Sequence, residues 1–289
     1  MKRNTNAVES KHPPAPLDKL RGGRILELDA TGGNGQRGLT SLKLASFNIQ
    51  TGINTSAYHE YLTGGWRHVF PSDRRIRNLN RIAKLLTPFD LVGLQEVDGG
   101  GSRSHFIVQA EYLAERAGFS HWHNQINRRI GNIALNSNGL LSRLQPVAVE
   151  DYSLPGVPGR GALVARFGTA TGGTLHLCVM HLALSRNARM KQLAFVAEVI
   201  RDLPHVILMG DLNCAHDSPE IRFLTHSTRL CDPLCEVKTF PSWKPRIMLD
   251  HILVTPEIRV DKLWAINFAC SDHLPIAMHI TLPEGLSLG

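Results

Sequence analysis

Between Val206 and Met209 an apolar run stops at Gly210 and presents a carboxylate and an amide two residues apart, Asp211 and Asn213. Period-two alternation puts both on one side of a strand. One accepts hydrogen bonds and the other also donates, a combination suited to orienting a water molecule and a phosphoryl oxygen. The plainer alternative is an Asx-turn closing the strand end. A second run, Phe89 to Val97, ends in Glu96, whose charge is expensive to bury at a strand terminus without compensation. A hard cation compensates it economically, because Mg²⁺ prefers carboxylate and water oxygens and needs only one or two protein carboxylates. An ion pair with a basic side chain is the alternative.

Further runs end in the same way. Leu42 to Ile49 delivers Asn48, and Leu175 to Leu182 delivers His181 inside CVMHLAL, where a histidine is ordinarily a satisfied core residue. Two Asp-His pairs abut apolar runs near the end, Asp250-His251 in IMLDHILV and Asp272-His273 in ACSDHLPIAM. Convergence of such groups at sheet ends is one way to build a phosphoesterase site. The weight rests on the combination and not on any one member.

The elements that must position these groups are short apolar runs bounded by Gly, Asn, Asp and Ser, as buried strands ending in functional loops are. Besides those above they include 91–94, 139–141, 163–167, 252–254 and 276–280. Helical periodicity separates them: Ile76, Leu79, Ile82, Leu85 and Leu86 share a face, as do Ile107, Ala110, Leu113, Ala114 and Ala117, and a third helix is expected over Asn187 to Arg201. Strands throughout, with interspersed helices, indicate an α/β or α+β sandwich rather than an alternating parallel barrel. Residues 1–40, with Pro13, Pro14, Pro16 and a Gly-rich stretch, offer little apolar surface to bury, so they are expected to form a flexible basic arm ahead of a catalytic domain over 41–289.

A net charge of +7 invites a nucleic-acid reading. Residues 1–43, however, carry eight Lys or Arg against four acids, of 32 and 25 in the whole chain, so the remainder is close to neutral. Five cysteines at scattered positions suit a reducing compartment, and Cys231 and Cys235 lack a second pair at zinc spacing. No apolar run has the length of a signal-peptide core near the start or of a membrane span anywhere, so a cytoplasmic protein is expected; a monomer is expected as well.

The chain resembles the endonuclease/exonuclease/phosphatase superfamily through FNIQ (47–50), LQEVD (94–98), HLALS (181–185), GDLN (210–213), LDHI (249–252) and SDHLP (271–275), which occur in family order across roughly residues 42–282. The resemblance implies a four-layer α/β/β/α sandwich of two mixed sheets flanked by helices, with a Mg²⁺ site, able to take Mn²⁺, at one end of the sheets. It makes Glu96 the principal metal ligand, with Asn48 and Asp272 in or beside the metal shell. Asp211 and Asn213 would handle the attacking water and a phosphate oxygen, His273 would contact the scissile phosphate while oriented by Asp250, and His181 would lie near the leaving group.

His181 also separates branches. Exonuclease III-type abasic-site endonucleases carry a Tyr in a Tyr-x-Pro segment there, whereas Met180-His181-Leu182 is similar to the deoxyribonuclease-like and sphingomyelinase-like branches. NGLLSRL (138–144), PGRGALVARF (158–167) and TFPSWKPRIMLDHILV (239–254) look like bacterial members related to phosphatases and phosphodiesterases of small or lipid-linked phosphates. Arg160, between two glycines, is a candidate anchor for a substrate phosphate, or a turn residue in solvent; Trp243 either lines a pocket entrance or clamps a loop. Arg74, Arg75, Arg77 and Arg81 suggest a basic patch that guides phosphorylated substrates, or merely a solvated helix face. Phe119 to Arg129 mixes aromatics with cations, as single-strand binders do, and within this superfamily reads as a strand and loop near the cleft. A metal-dependent nuclease and a non-catalytic binding module of the same fold stand as the alternatives to a phosphoesterase.

Overall fold

Alternation sorts each buried strand into two apolar faces, and the two faces find different partners. The computed structural model describes residues 39–53, 73–169, 172–233 and 236–288. The expected N-terminal arm, apart from Leu39 and Thr40, therefore lies outside the described residues, as does Cys235. The regular elements are β1 (Ser41–Asn48), α1 (Asp73–Leu86), β2 (Leu91–Asp98), α2 (Gln109–Ala117), β3 (His121–Ile130), β4 (Ala134–Ser142), β5 (Ala148–Ser153), β6 (Gly161–Gly168), β7 (Thr174–His181), α3 (Arg186–Ile200), β8 (Val206–Asp211), α4 (Pro219–Ser227), β9 (Asp250–Val254), β10 (Arg259–Ala265) and β11 (Ile276–Thr281).

Two sheets result, ordered β10-β11-β1-β2-β4-β3 and β5-β6-β7-β8-β9. Each is mixed, since β1 and β2 run parallel in one and β7 and β8 in the other, while the remaining pairs are antiparallel. Leu42 and Leu44 of β1 face Leu177 and Val179 of β7 and Met209 of β8 in a core between the sheets. Ala45 and Phe47 face the other way, against Leu79, Ile82 and Leu86 of α1 and Leu113 of α2. Beyond the second sheet, Cys178, Met180 and Leu208 pack on Leu193 and Val196 of α3 and Leu224 of α4. Three apolar interfaces make four layers, α/β/β/α, as the resemblance implies.

Strands β3, β5 and β10 escape the apolar-run reading because their side chains are largely exposed or half-buried, whereas the edge strand β9 is buried throughout and reads as an apolar run. Helix α4 also went unread; Ser218 caps it by accepting the Ile221 N–H, with Pro219 opening the first turn. Arg75 departs from the basic patch expected on α1. It is buried, its guanidinium donating to the Arg103 carbonyl, while Arg81 lies 5.0 Å over the Phe268 ring.

The four described cysteines are unpaired. Burial pushes the thiols of Cys178 and Cys270 up to about 12 and that of Cys214 to about 11, whereas Cys231 is exposed. A thiolate-directed reagent at mildly alkaline pH should therefore modify Cys231 rapidly and spare the other three until the protein unfolds. Peptide mapping by mass spectrometry checks this; labelling of Cys178 at the rate of Cys231 in the folded protein would contradict it.

Candidate active site

The same alternation that builds the central core delivers the site. Leu175, Leu177 and Val179 face between the sheets, so His181 does too; Ile207 and Met209 lead to Asp211, and Ile252 and Val254 share their face with Asp250. Asn48 follows Leu42 and Leu44 in step on β1. Each strand thus changes from apolar to polar at one end of the sheet interface. His251 has the opposite parity and is not part of the cluster; one ring nitrogen lies 2.9 Å from the Cys214 carbonyl.

Asp211 is the hub. Its Oδ2 accepts from Asn48 Nδ2 at 3.1 Å and lies 3.4 Å from His181 Nε2 and 3.7 Å from His273 Nε2. Its Oδ1 accepts the Asn213 N–H at 3.0 Å, so the Asx-turn and the site are one feature. Asn213 itself lies beyond the strand with φ 51°, and its side-chain amide donates to the Leu182 carbonyl at 3.0 Å, which replaces the simple alternation expected of it. Burial raises the Asp211 carboxyl, as does the charge of Asp250, while His273 and the Asn48 and Asn213 hydrogen bonds lower it; the balance lies at about 7.

His273 packs beside the Phe240 ring, 4.9 Å between centroids, and its Nδ1 lies 2.8 Å from Asp250 Oδ2, which also accepts from Thr239 Oγ1 at 2.6 Å. Burial opposes a charge on this imidazole, but Asp250, Asp211 and Asp272 around it prevail and hold its pKa well above the ordinary value. His181 is in the converse state. Burial, then Arg160 and His273, hold it well below the ordinary value. Arg160 Nη1 is 2.9 Å from His181 Nδ1, and a guanidinium can only donate, so Nδ1 accepts and Nε2 carries the proton. Arg160 is thus half-buried in the site and not a turn residue in solvent.

Glu96 reaches the cleft by a different route. In step with Leu91 and Gly93, Gln95 faces inward and hydrogen-bonds Ser46, which would send Glu96 toward the helices. The β2–β4 register shifts between Leu94 and Val97, and Glu96 adopts φ 56°, so that it lines the cavity with His181 and Arg160. Asp272 sits beneath, its Oδ1 3.1 Å from Ser271 Oγ, which is also 2.7 Å from the Asn48 carbonyl. Burial, and next to it the charge of Glu96, raise the Asp272 carboxyl. Two such carboxylates, with the Asn48 side-chain oxygen accepting one N–H from Gln50 and keeping a second lone pair, are hard donors that fit a divalent cation. Asp211, Asp250 and His273 also offer ligand atoms within 4.8 Å of one another. The carboxylates of Asp250, Asp211 and Asp272 favour the charged form of that imidazole.

Thr239, Phe240 and Ser271 were not singled out from the sequence. They are ordinary residue types, and the only signal was their place inside or beside the blocks TFPSWKP and SDHLP. The cavity next to Glu96 has a volume of about 560 Å³ and runs between the turn end of the β3–β4 hairpin and the loops before β6 and α3.

Two mixed sheets between helices, with an acid and histidine cluster at one end of their interface, define an α/β sandwich of the endonuclease/exonuclease/phosphatase type. Residues 45–273 match the Endonuclease/Exonuclease/phosphatase family, and the chain belongs to that family, whose members act on phosphoester bonds. It is similar to Uncharacterized protein YbhP of Escherichia coli (strain K12), 27% identical over 223 residues that cover 67% of this chain and 83% of the relative. Its fold matches an endonuclease/exonuclease/phosphatase of Beutenbergia cavernae DSM 12333 at a TM-score of 0.65 and 21% identity, over 86% of this chain and 72% of that one. It matches the mannosyl-6-phosphatase Bt3783 of Bacteroides thetaiotaomicron VPI-5482 at 0.64 and 18%, over 83% and 100%.

Proposed function

We propose that the chain is a Mg²⁺-dependent phosphoesterase, able to use Mn²⁺, that hydrolyses a phosphodiester or phosphomonoester of a small or lipid-linked alcohol by in-line attack of water. The observation that carries this reading is the arrangement of Asp211 between His273 and His181, with Asp250 behind His273, beside the Glu96 and Asp272 carboxylates. The family membership supports it, and so does a cavity that Glu96, His181 and Arg160 line together.

The division of labour follows from the protonation states. The imidazolium of His273 presents Nε2–H to a non-bridging phosphate oxygen, while Asp250 fixes the ring from behind. In its carboxylate form Asp211 accepts the proton of the attacking water, and a pKa near neutrality suits that task. Water oxygen bonds to phosphorus as the ester oxygen departs. His181 directs its Nε2–H at the departing oxygen, and Arg160 holds its tautomer and adds positive charge. Asn213 braces Asp211 through its backbone N–H. Glu96, Asp272 and Asn48 hold the divalent ion, which when bound neutralises charge on the phosphoryl group. Residues 41–289 constitute the catalytic domain, and unpaired cysteines suit a cytoplasmic location.

A screen of Mg²⁺- and Mn²⁺-loaded protein against phospholipid head groups, sugar phosphates, RNA and DNA tests the reading. Turnover should vanish with chelator, return with metal, and fall about 10²-fold or more in Asp211→Asn. Wild-type turnover in that variant would refute the mechanism. Metal-dependent nicking of plasmid without hydrolysis of small or lipid esters would move the assignment to the nuclease alternative, and no turnover on any class would favour the non-catalytic module.

A further inference from the structure

Four segments frame the cavity beside Glu96: residues 101–106, 127–136 at the turn end of the β3–β4 hairpin, 155–160 before β6 and 182–189 before and into α3. Together they contain six arginines and no Asp or Glu. Arg103 pairs with Asp98, Arg189 with Glu220 and Arg160 with the His181 ring. Arg128, Arg129 and Arg186 have no ion-pair or hydrogen-bond partner among the described residues. The same segments carry Phe106, Ile130, Ile133, Val157 and Leu184, five of the ten exposed large apolar side chains among the described residues. Phe106 and Leu184 are 69% and 77% exposed.

This exposure is built into the fold. Asp98 Oδ1 accepts the N–H groups of Gly100 and Gly101, and the loop is tied to the hairpin by Ser102 N–H to the Asn132 carbonyl (2.9 Å) and Arg103 N–H to the Ile133 carbonyl (3.1 Å). His105 and Phe106 are held at φ 57° and 60°, a conformation that a bulky residue adopts only where its surroundings enforce it. Across the cavity, Gly159 lies against the Arg128 side chain, so the loop before β6 meets the hairpin.

Aliphatic side chains standing out among arginines, on four rim segments that contain no Asp or Glu, fit a surface that is apolar within and anionic at its face. We propose that this rim docks the protein onto anionic phospholipid membrane, so that the substrate phosphate is presented from a lipid head group. A single-strand nucleic-acid groove would share the arginines but use stacked aromatics, and the rim offers isoleucine, valine and leucine with one phenylalanine. The proposal rests on the phosphoesterase reading for its substrate and on the surface alone for its docking.

Flotation of the full chain with vesicles tests it, using equal parts phosphatidylglycerol and phosphatidylcholine against phosphatidylcholine alone. Binding is expected only to the anionic vesicles, weakened by salt, and reduced roughly tenfold or more in Ile130→Ser/Ile133→Ser and in Arg128→Gln/Arg129→Gln. The Ile variants change an exposed hairpin end, so their circular dichroism melt and their turnover of a soluble aryl phosphoester should equal wild type. Soluble-ester turnover without vesicle binding, or vesicle binding indifferent to these substitutions, overturns the docking proposal while leaving the phosphoesterase reading intact. Vesicle binding lost in the variants, with no turnover of any ester, keeps the surface and defeats the enzyme reading. Capture of oligonucleotides through the same residues in place of vesicles overturns the membrane assignment.

Discussion

Replacing Glu96 by Ala is expected to lower kcat/KM toward any accepted phosphoester by about 10³-fold without lowering the melting temperature. The two effects separate because of where the carboxylate sits. Glu96 is held at φ 56° by the bulge in β2, and Ala at the same φ carries the same Cβ, so the substitution introduces no new backbone strain. It also removes a negative charge that stands against the buried Asp272. Stability should stay level or rise, the trade-off expected where a site holds like charges together for function. Mg²⁺ should raise the melting temperature of wild type and not of the variant, because a ligand stabilises only the state that binds it. Paired thermal scans and steady-state assays check both. Full turnover, or an unchanged Mg²⁺ shift, would remove Glu96 from the metal assignment.

Gly210→Ala should act in the opposite sense, on the fold before the chemistry. Gly210 lies at φ 153° in β8, paired in register with Met180 of the parallel neighbour β7. A Cβ there would stand 1.9 Å from the Met180 carbonyl oxygen and 2.9 Å from its carbon. The obstacle is backbone in the centre of a sheet, so no rotamer change relieves it; β7 and β8 must separate. A loss of about 4 kcal/mol or more is expected, with a fall in melting temperature of roughly 10 °C. Since Asp211 is the next residue and His181 follows Met180, whatever folds should also lose activity. Urea denaturation followed by fluorescence measures the effect, and a midpoint indistinguishable from wild type would show that the strands tolerate the displacement.

Much of the site was legible because strands translate sequence parity into direction. His181, Asp211, Asp250 and Asn48 each keep step with apolar residues that face the central core, so a reader of alternation alone can place them on one inner surface. The edge strands β5 and β10 were illegible for the same reason, since neither has a continuous apolar run to reveal it, and β3 showed only through its mixture of aromatics and cations. Asn213 shows the limit of parity: two residues past the strand the chain turns left-handed, and its amide holds the Leu182 carbonyl.

The sequence by itself determined the blocks, their order, the family they resemble and the residue types available for acid–base and metal chemistry. The resemblance already singled out His273 with Asp250, and the tertiary structure supplied the contacts: His273 lies against Asp250 and Asp211, while His251 packs away at the Cys214 carbonyl. The tertiary structure alone brought Glu96 into the cleft, against its parity, through a bulge that exists only when β2 pairs with β4. It alone set His181 and His273 in opposite protonation states. A histidine's charge depends on what surrounds it, burial and then Arg160 for one and three carboxylates that outweigh burial for the other, and those neighbours are distant in the chain and meet only when both sheets have closed.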